Sequence, residues 1–168
     1  MNGSAEWTRL LELARRAGEL LSSASRTLST AESCTGGLLS GVLTEIPGAS
    51  VYFLGGIIAY HNDIKTLWLD IPEQVISTYG AVSAQTAQAM AKACRERFQA
   101  DIAISITGIA GPGGGTLSKP VGLVYLAVED ENGGRVAERH LSGTRSEVRA
   151  QAVAEALKLV IAAAVARS

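Results

Sequence analysis

Thr30-Ala31-Glu32-Ser33-Cys34-Thr35-Gly36-Gly37 follows a short β-branched stretch and precedes an apolar stretch of helical period. The residues before it predict a strand about Arg26 to Thr30. After it, Leu38, Leu39, Val42, Leu43 and Ile46 predict a helix that Pro47-Gly48 stops. Strand, serine turn and helix in succession form a basic unit of an α/β domain. The same unit suits an anion, because the first N–H groups of a helix lack intrahelical acceptors and the helix dipole is positive there. Ser33 at such a mouth joins a nucleophilic hydroxyl to donors for a developing oxyanion.

Upstream of this unit, Leu10, Leu13, Ala14, Ala17, Leu20 and Leu21 recur at helical spacing among Glu12, Arg15, Arg16 and Glu19, an amphipathic helix ending near Ser25. Downstream, Val51 to Tyr60 is apolar almost throughout and predicts a strand buried on both faces, with Gly55-Gly56 marking a bulge or a close backbone approach. Asn62 is expected to cap a short helix that carries Lys65 in its first turn and turns Ile64, Leu67 and Trp68 inward. Pro72 suits the first turn of another short helix. Ser83 caps a longer one with Ala87, Met90, Ala91, Cys94 and Phe98 as its inner stripe.

Ile102 to Ile106 predicts the next strand, which runs into Thr107-Gly108-Ile109-Ala110-Gly111-Pro112-Gly113-Gly114-Gly115. Val121 to Val128 and Val136 to Leu141 predict a hairpin about Glu131-Asn132-Gly133-Gly134, where Asn-Gly supplies positive φ angles. Thr144 and Glu147 form a capping box for a last helix whose Val153, Ala156, Leu157, Val160, Ile161 and Ala164 face the core. The expected fold is a single α/β domain over residues 1–168. Its sheet is mixed and mostly parallel, of about five strands with helices on both faces, and antiparallel at the late hairpin.

The length of 168 residues suits one domain, and 47% apolar with 18% charged residues suits a buried core and excludes disorder. With 15 basic and 16 acidic residues, a net charge of −1 and no dense Lys/Arg run, nothing marks a nucleic-acid surface. Cys34 and Cys94 fall short of a disulfide framework, and with His61 and His140 they form no metal-ligand spacing. We therefore expect no metal and no cofactor in a reducing, cytoplasmic setting. The opening Met1-Asn2-Gly3-Ser4-Ala5-Glu6-Trp7 lacks the features of a signal peptide. No apolar stretch approaches the roughly 18 residues of a membrane span. Apolar helix surface makes a homo-oligomer the expected assembly.

A serine needs a base, and the two histidines are not placed to complete a triad. Lys65 is the better candidate, provided burial and its helix position bring its pKa down from about 10.4 toward roughly 7–8. Tyr60 can relay a proton or orient the amine, Asn62 can position substrate, and Asp63 is a counterweight that would hold the amine charged. A helix-capping serine and a solvated lysine are the structural alternative. Thr107, Gly108 and Gly111 belong to a loop whose backbone N–H groups can approach an anion, although it matches neither a Walker A nor a G-x-G-x-x-G pattern, and a flexible surface loop is equally compatible. Arg145, at the mouth of the last helix, can pair with a phosphate or stay exposed. Cys34 is a rival nucleophile or a packing residue. Glu32 hydrogen-bonds substrate or forms a structural salt bridge, and Cys34, Thr35 and Gly36 complete the substrate-binding turn.

At these residues the chain closely resembles the C-terminal domain family of the competence/damage-inducible protein CinA, whose stand-alone bacterial members are nicotinamide-nucleotide amidases. The match spans nearly the full length. It is carried by Thr30 to Gly37, the Gly55-Gly56 to Tyr60 strand with Asn62 and Lys65, Gly80-Ala81-Val82-Ser83, Ser105 to Gly114, Lys119-Pro120-Val121-Gly122, and Ser142-Gly143 with Arg145. The resemblance implies the stand-alone form, without the molybdopterin-binding-like domain of two-domain members. It implies hydrolysis of the carboxamide of nicotinamide mononucleotide to nicotinic acid mononucleotide and ammonia by a serine–lysine mechanism. In that scheme Lys65, helped by Tyr60, takes the Ser33 proton, N–H groups after Ser33 hold the oxyanion, and the Thr107 to Gly115 loop with Arg145 holds the ribose phosphate. Two other readings stay open: a non-catalytic pyridine-nucleotide-binding or interaction module, and a cysteine hydrolase using Cys34.

Overall fold

Leu28–Glu32 (β1) is buried at every residue, because it has a strand on each side and helices over both faces. The computed structural model describes residues 3–166, so the outermost residues of the expected 1–168 domain lie outside it. β1 pairs in parallel with Phe53–Ile58 (β2) and with Ile102–Gly108 (β3). Leu123–Asp130 (β4) runs antiparallel to β3, and Gly133–His140 (β5) antiparallel to β4. The sheet is thus mixed and five-stranded, in the order β2-β1-β3-β4-β5.

Helices supply the parallel crossovers, as a parallel pair requires. Leu38–Thr44 (α2) joins β1 to β2. Asn62–Leu69 (α3), Glu73–Tyr79 (α4) and Ala84–Phe98 (α5) join β2 to β3. Gly3–Ser23 (α1) and Arg145–Val165 (α6) flank the chain's ends. Alternation along the strands assigns residues to the two faces. Leu28, Ile102, Ile104, Ile106, Val124, Leu126 and Val128 pack under α1, α2 and α6. Ala31, Ala103 and Ala127 face the other way, where their small side chains let Ala87, Met90, Ala91 and Cys94 of α5 approach closely.

Several elements depart from expectation. β1 starts at Leu28 and runs through Glu32 instead of ending at Thr30. β2 is the outermost strand, so one side of it lies open. Its burial alternates, leaving Leu54 and Ile58 exposed where a strand buried on both faces was expected. His61, not Asn62, caps α3, its ring nitrogen accepting from Asp63 N at 3.4 Å. α3 turns Lys65 and Leu69 inward with Ile64 packing beside them as expected, but leaves Leu67 and Trp68 68% and 54% exposed where they were expected inside. Pro72 caps α4 from just outside its first turn. The Ser83 cap and the Thr144/Glu147 capping box form as expected. In the hairpin, Asn132 N donates to Asp130 Oδ1, and the positive φ falls on Gly133 and not on Asn132.

The strand order creates the site. From β1 the chain crosses to one side, to β2, whereas from β3 it turns to the other side, to β4. The crevice beyond the carboxyl ends of β1 and β3 is where open α/β sheets bind ligands.

Candidate active site

Ser33 follows β1 by one residue, and its N–H donates to Ile106 O at 2.9 Å, tying the nucleophile turn to β3. Beneath it the Glu32 carboxylate is fully buried. Glu32 Oε2 accepts from Gly37 N at 3.0 Å and Leu39 N at 3.1 Å, and Oε1 accepts from Ser40 N at 2.8 Å and Ser40 Oγ at 2.7 Å. The start of α2 is therefore filled by the protein's own carboxylate. Neither that helix mouth nor Glu32 is available to substrate, which corrects the expectation for both. Gly36 N donates to Ser33 O and Leu38 N to Thr35 O. Among the described residues this leaves the N–H groups of Cys34 and Thr35 as the turn's uncommitted donors.

Lys65 is 1% exposed, and its Nζ lies 3.0 Å from Ser33 Oγ, 2.8 Å from Ala59 O and 3.2 Å from Tyr60 O. The two carbonyls belong to the segment after β2, which Ala59 N anchors to Glu32 O at 2.8 Å. Burial lowers the Lys65 pKa from 10.5 to about 8, opposed in small part by the neighbouring Cys34 sulfur. Among the described residues no carboxylate holds the amine charged, since Asp63, the expected counterweight, lies at the surface against His61. As an ammonium, Nζ donates to all three oxygens; once neutral, its two remaining N–H groups can serve the two carbonyls and leave the lone pair for the Ser33 hydroxyl.

Cys34 is buried beside Ser33, and its thiol is pushed up to about 11, first by burial and further by the Glu32 carboxylate. At neutral pH the resting thiol stays protonated, so Cys34 carries no pre-formed thiolate, and Lys65 Nζ makes its hydrogen bond to Ser33 Oγ. Tyr60 meets Lys65 through its backbone carbonyl. Its phenol oxygen instead accepts from Arg145 at 2.9 Å, so the hydroxyl is not the expected proton relay to the amine. Arg145 opens α6 and also donates to Gly111 O at 2.8 Å, spanning from the glycine-rich loop to Tyr60. Thr107 is buried at the end of β3, where its hydroxyl donates to Ala81 O at 2.7 Å. Within the loop after β3, the N–H groups of Ala110, Gly111, Gly113 and Gly114 have no protein acceptor among the described residues.

These parts surround a cavity of about 260 Å³. Ser33, Cys34, Tyr60, Asn62, Lys65, Thr107, Gly108, Gly111 and Arg145 all line it. Glu32, Thr35 and Gly36 do not. Thr35 is fully buried under the turn and Gly36 lies behind it, close to Arg149. Ala81, Val82, Ile109 and Ala110 line the cavity without having been singled out as site residues. Ala81 and Val82 reach it because Thr107 holds the Ala81 carbonyl. No chemical signal in two aliphatic residues could have announced this. Among the described residues, no group of metal-ligating side chains comes together and no helix is long and apolar enough to cross a membrane.

The sequence profile of the CinA C-terminal domain matches residues 10–164. A CinA-like protein of Desulfotalea psychrophila is 51% identical over 132 residues, 79% of this chain and 32% of that protein. A CinA-like protein of Koribacter versatilis is 52% identical over the same number of residues and the same shares. The chain thus spans about a third of the length of these relatives. Among solved structures, the competence/damage inducible protein CihA from Agrobacterium tumefaciens superposes with a TM-score of 0.90 at 44% identity, over 92% of this chain and 94% of that one. A competence-damaged protein (CinA) superfamily protein from Escherichia coli superposes with a TM-score of 0.88 at 32% identity, over 91% and 90% of the two chains.

Proposed function

The chain belongs to the CinA C-terminal domain family, and from that premise we propose that it is a serine–lysine amidase acting on the carboxamide of a pyridine mononucleotide, with nicotinamide mononucleotide as substrate. The observation that carries the reading is the 3.0 Å contact between Ser33 Oγ and a buried Lys65 amine whose pKa is lowered to about 8. A lysine so buried, without a carboxylate partner and against a hydroxyl, suits a general base.

The steps follow from the geometry. Neutral Lys65 accepts the Ser33 proton as Oγ bonds to the amide carbon, and the N–H group of Cys34, which lines the cavity, is the uncommitted donor nearest in sequence to the developing oxyanion. Lys65 then gives its proton to the amide nitrogen, the C–N bond breaks and ammonia leaves. A water molecule, deprotonated by the same amine, attacks the acyl carbon, and the Ser33 oxygen departs with the proton from Lys65. The open N–H groups after β3 and the guanidinium of Arg145 suit the phosphate on the far side of the cavity.

Ammonia release by the purified protein tests the reading across nicotinamide mononucleotide, its nucleoside and free nicotinamide. Steady release from the mononucleotide, falling as phosphate and then ribose are removed, is the expected result. Saturable binding without release would instead make the chain a nucleotide-binding module.

A further inference from the structure

Arg149 lies one turn beyond Arg145 on α6, so the two side chains share a helix face. Its guanidinium donates to Thr35 O at 2.7 Å, inside the turn that carries Ser33. That contact is made under poor conditions. Arg149 Nε and Thr35 Oγ1 are both buried without a hydrogen-bond partner, and no carboxylate pairs with Arg149 among the described residues. A cation kept half-buried without a counter-charge, with orphaned polar atoms around it, is a liability for folding alone. Such a group calls for an explanation in function.

We propose that Arg149 is a positioning residue that fixes the Ser33 turn, and with it the nucleophile and the Cys34 N–H donor, against Lys65. The inference rests on the serine–lysine reading. The peptide groups between Ser33 and Gly36 hold the two uncommitted donors, and the Thr35 carbonyl is the one point where α6 grips them. Glu32 fixes the other end of the same turn through Gly37 N. Ser33 is thereby held from both sides. The Lys65 cradle is independent of this grip, since its carbonyls come from the segment after β2.

The test is the rate at which phenylmethanesulfonyl fluoride modifies Ser33, followed by mass spectrometry on the full chain over a range of pH. In that reaction the Ser33 Oγ–S bond forms, the S–F bond breaks, fluoride leaves and the hydroxyl proton passes to Lys65. R149M is expected to slow labelling about tenfold or more, as a small misplacement of a nucleophile does. R149K, which restores an N–H donor, should recover to within about threefold of the native rate. R149Q keeps a polar side chain whose amide nitrogen ends two bonds short of the arginine nitrogen that meets Thr35 O, where lysine ends one bond short, so it carries the same expectation as R149M with less risk to folding. In every variant the pH midpoint should stay at about 8, because the lysine's surroundings are untouched. A general loosening of the fold would not be rescued by lysine while leaving that midpoint in place. Native-rate labelling of R149M or R149Q, a shifted midpoint, or an unlabelled native Ser33 would each overturn the inference. Native labelling without ammonia release from any pyridine amide would remove the amidase reading and leave the role of Arg149 standing.

Discussion

The loops that follow β1 and β3 occupy equivalent places, each at the carboxyl end of a neighbouring parallel strand, yet they treat their backbone donors in opposite ways. After β1 the N–H groups of Ser33, Gly36, Gly37, Leu38, Leu39 and Ser40 find protein acceptors, three of them on Glu32, and among the described residues those of Cys34 and Thr35 alone stay open. After β3 the N–H groups of Ala110, Gly111, Gly113 and Gly114 find none among the described residues. A satisfied turn is held in one geometry, which is what a nucleophile requires. Donors left open around a cavity suit an anion, the role the proposed reading gives them. On the proposed reading, reaction and binding are divided between two loops that Arg145 and Arg149 grip from one helix.

The division is most severely tested at the reacting atoms. Ser33→Ala and Lys65→Met should each lower ammonia release by about a thousandfold or more, equivalent to about 4 kcal/mol, with circular dichroism unchanged. Turnover surviving in either variant would break the comparison, because the loop after β1 would then hold no chemistry. Glu32→Gln comes next and acts on the scaffold. Its amide nitrogen would turn a donor toward backbone N–H groups, so denaturant unfolding should show a loss of about 3 kcal/mol. An unchanged midpoint would mean that the turn is not held as described. Arg145→Met bears on the other loop. It should raise KM for the mononucleotide about 30-fold, or about 2 kcal/mol, while KM for the nucleoside stays where it is.

How much of this was legible in the sequence depends on the distance over which each signal acts. The order of strands and helices, both serine and threonine caps and the Ser33/Lys65 pair follow from local patterns, and the structure brings that pair into contact. The role of Glu32 could not be read, because a carboxylate after a strand looks the same whether it faces a ligand or turns back onto its own helix. The inward turn of Lys65 defeats the hydrophobic pattern of α3 directly. Leu67 and Trp68 should be inside by transfer energy, but the Ala59 and Tyr60 carbonyls and Ser33 Oγ give the amine three buried partners that no pattern of α3 alone reveals. The exposed face of β2 escaped for a related reason: edge position is a property of the sheet and not of the strand.

The smallest effect separates the two loops by pH. With Lys65 at about 8, roughly one amine in ten is neutral at pH 7 and nine in ten at pH 9, so kcat/KM should rise about tenfold across that interval, or about 1.4 kcal/mol, through its kcat part. The sign for stability agrees. A lysine lowered from 10.5 to about 8 on folding binds fewer protons in the native than in the unfolded state between those values, so through Lys65 the protein gains stability as pH rises through that window. Lys65→Met should abolish that slope and stabilise the fold at pH 7 by on the order of 1–3 kcal/mol. The part of the loop after β3 that lines the cavity, Ile109 to Gly114, offers only backbone donors, which do not titrate. From pH 7 to 9 the phosphate's contribution to KM should therefore stay flat while kcat climbs. A KM that tracked the lysine would show that phosphate recognition and proton transfer share one group, and the separation of the two loops would fail.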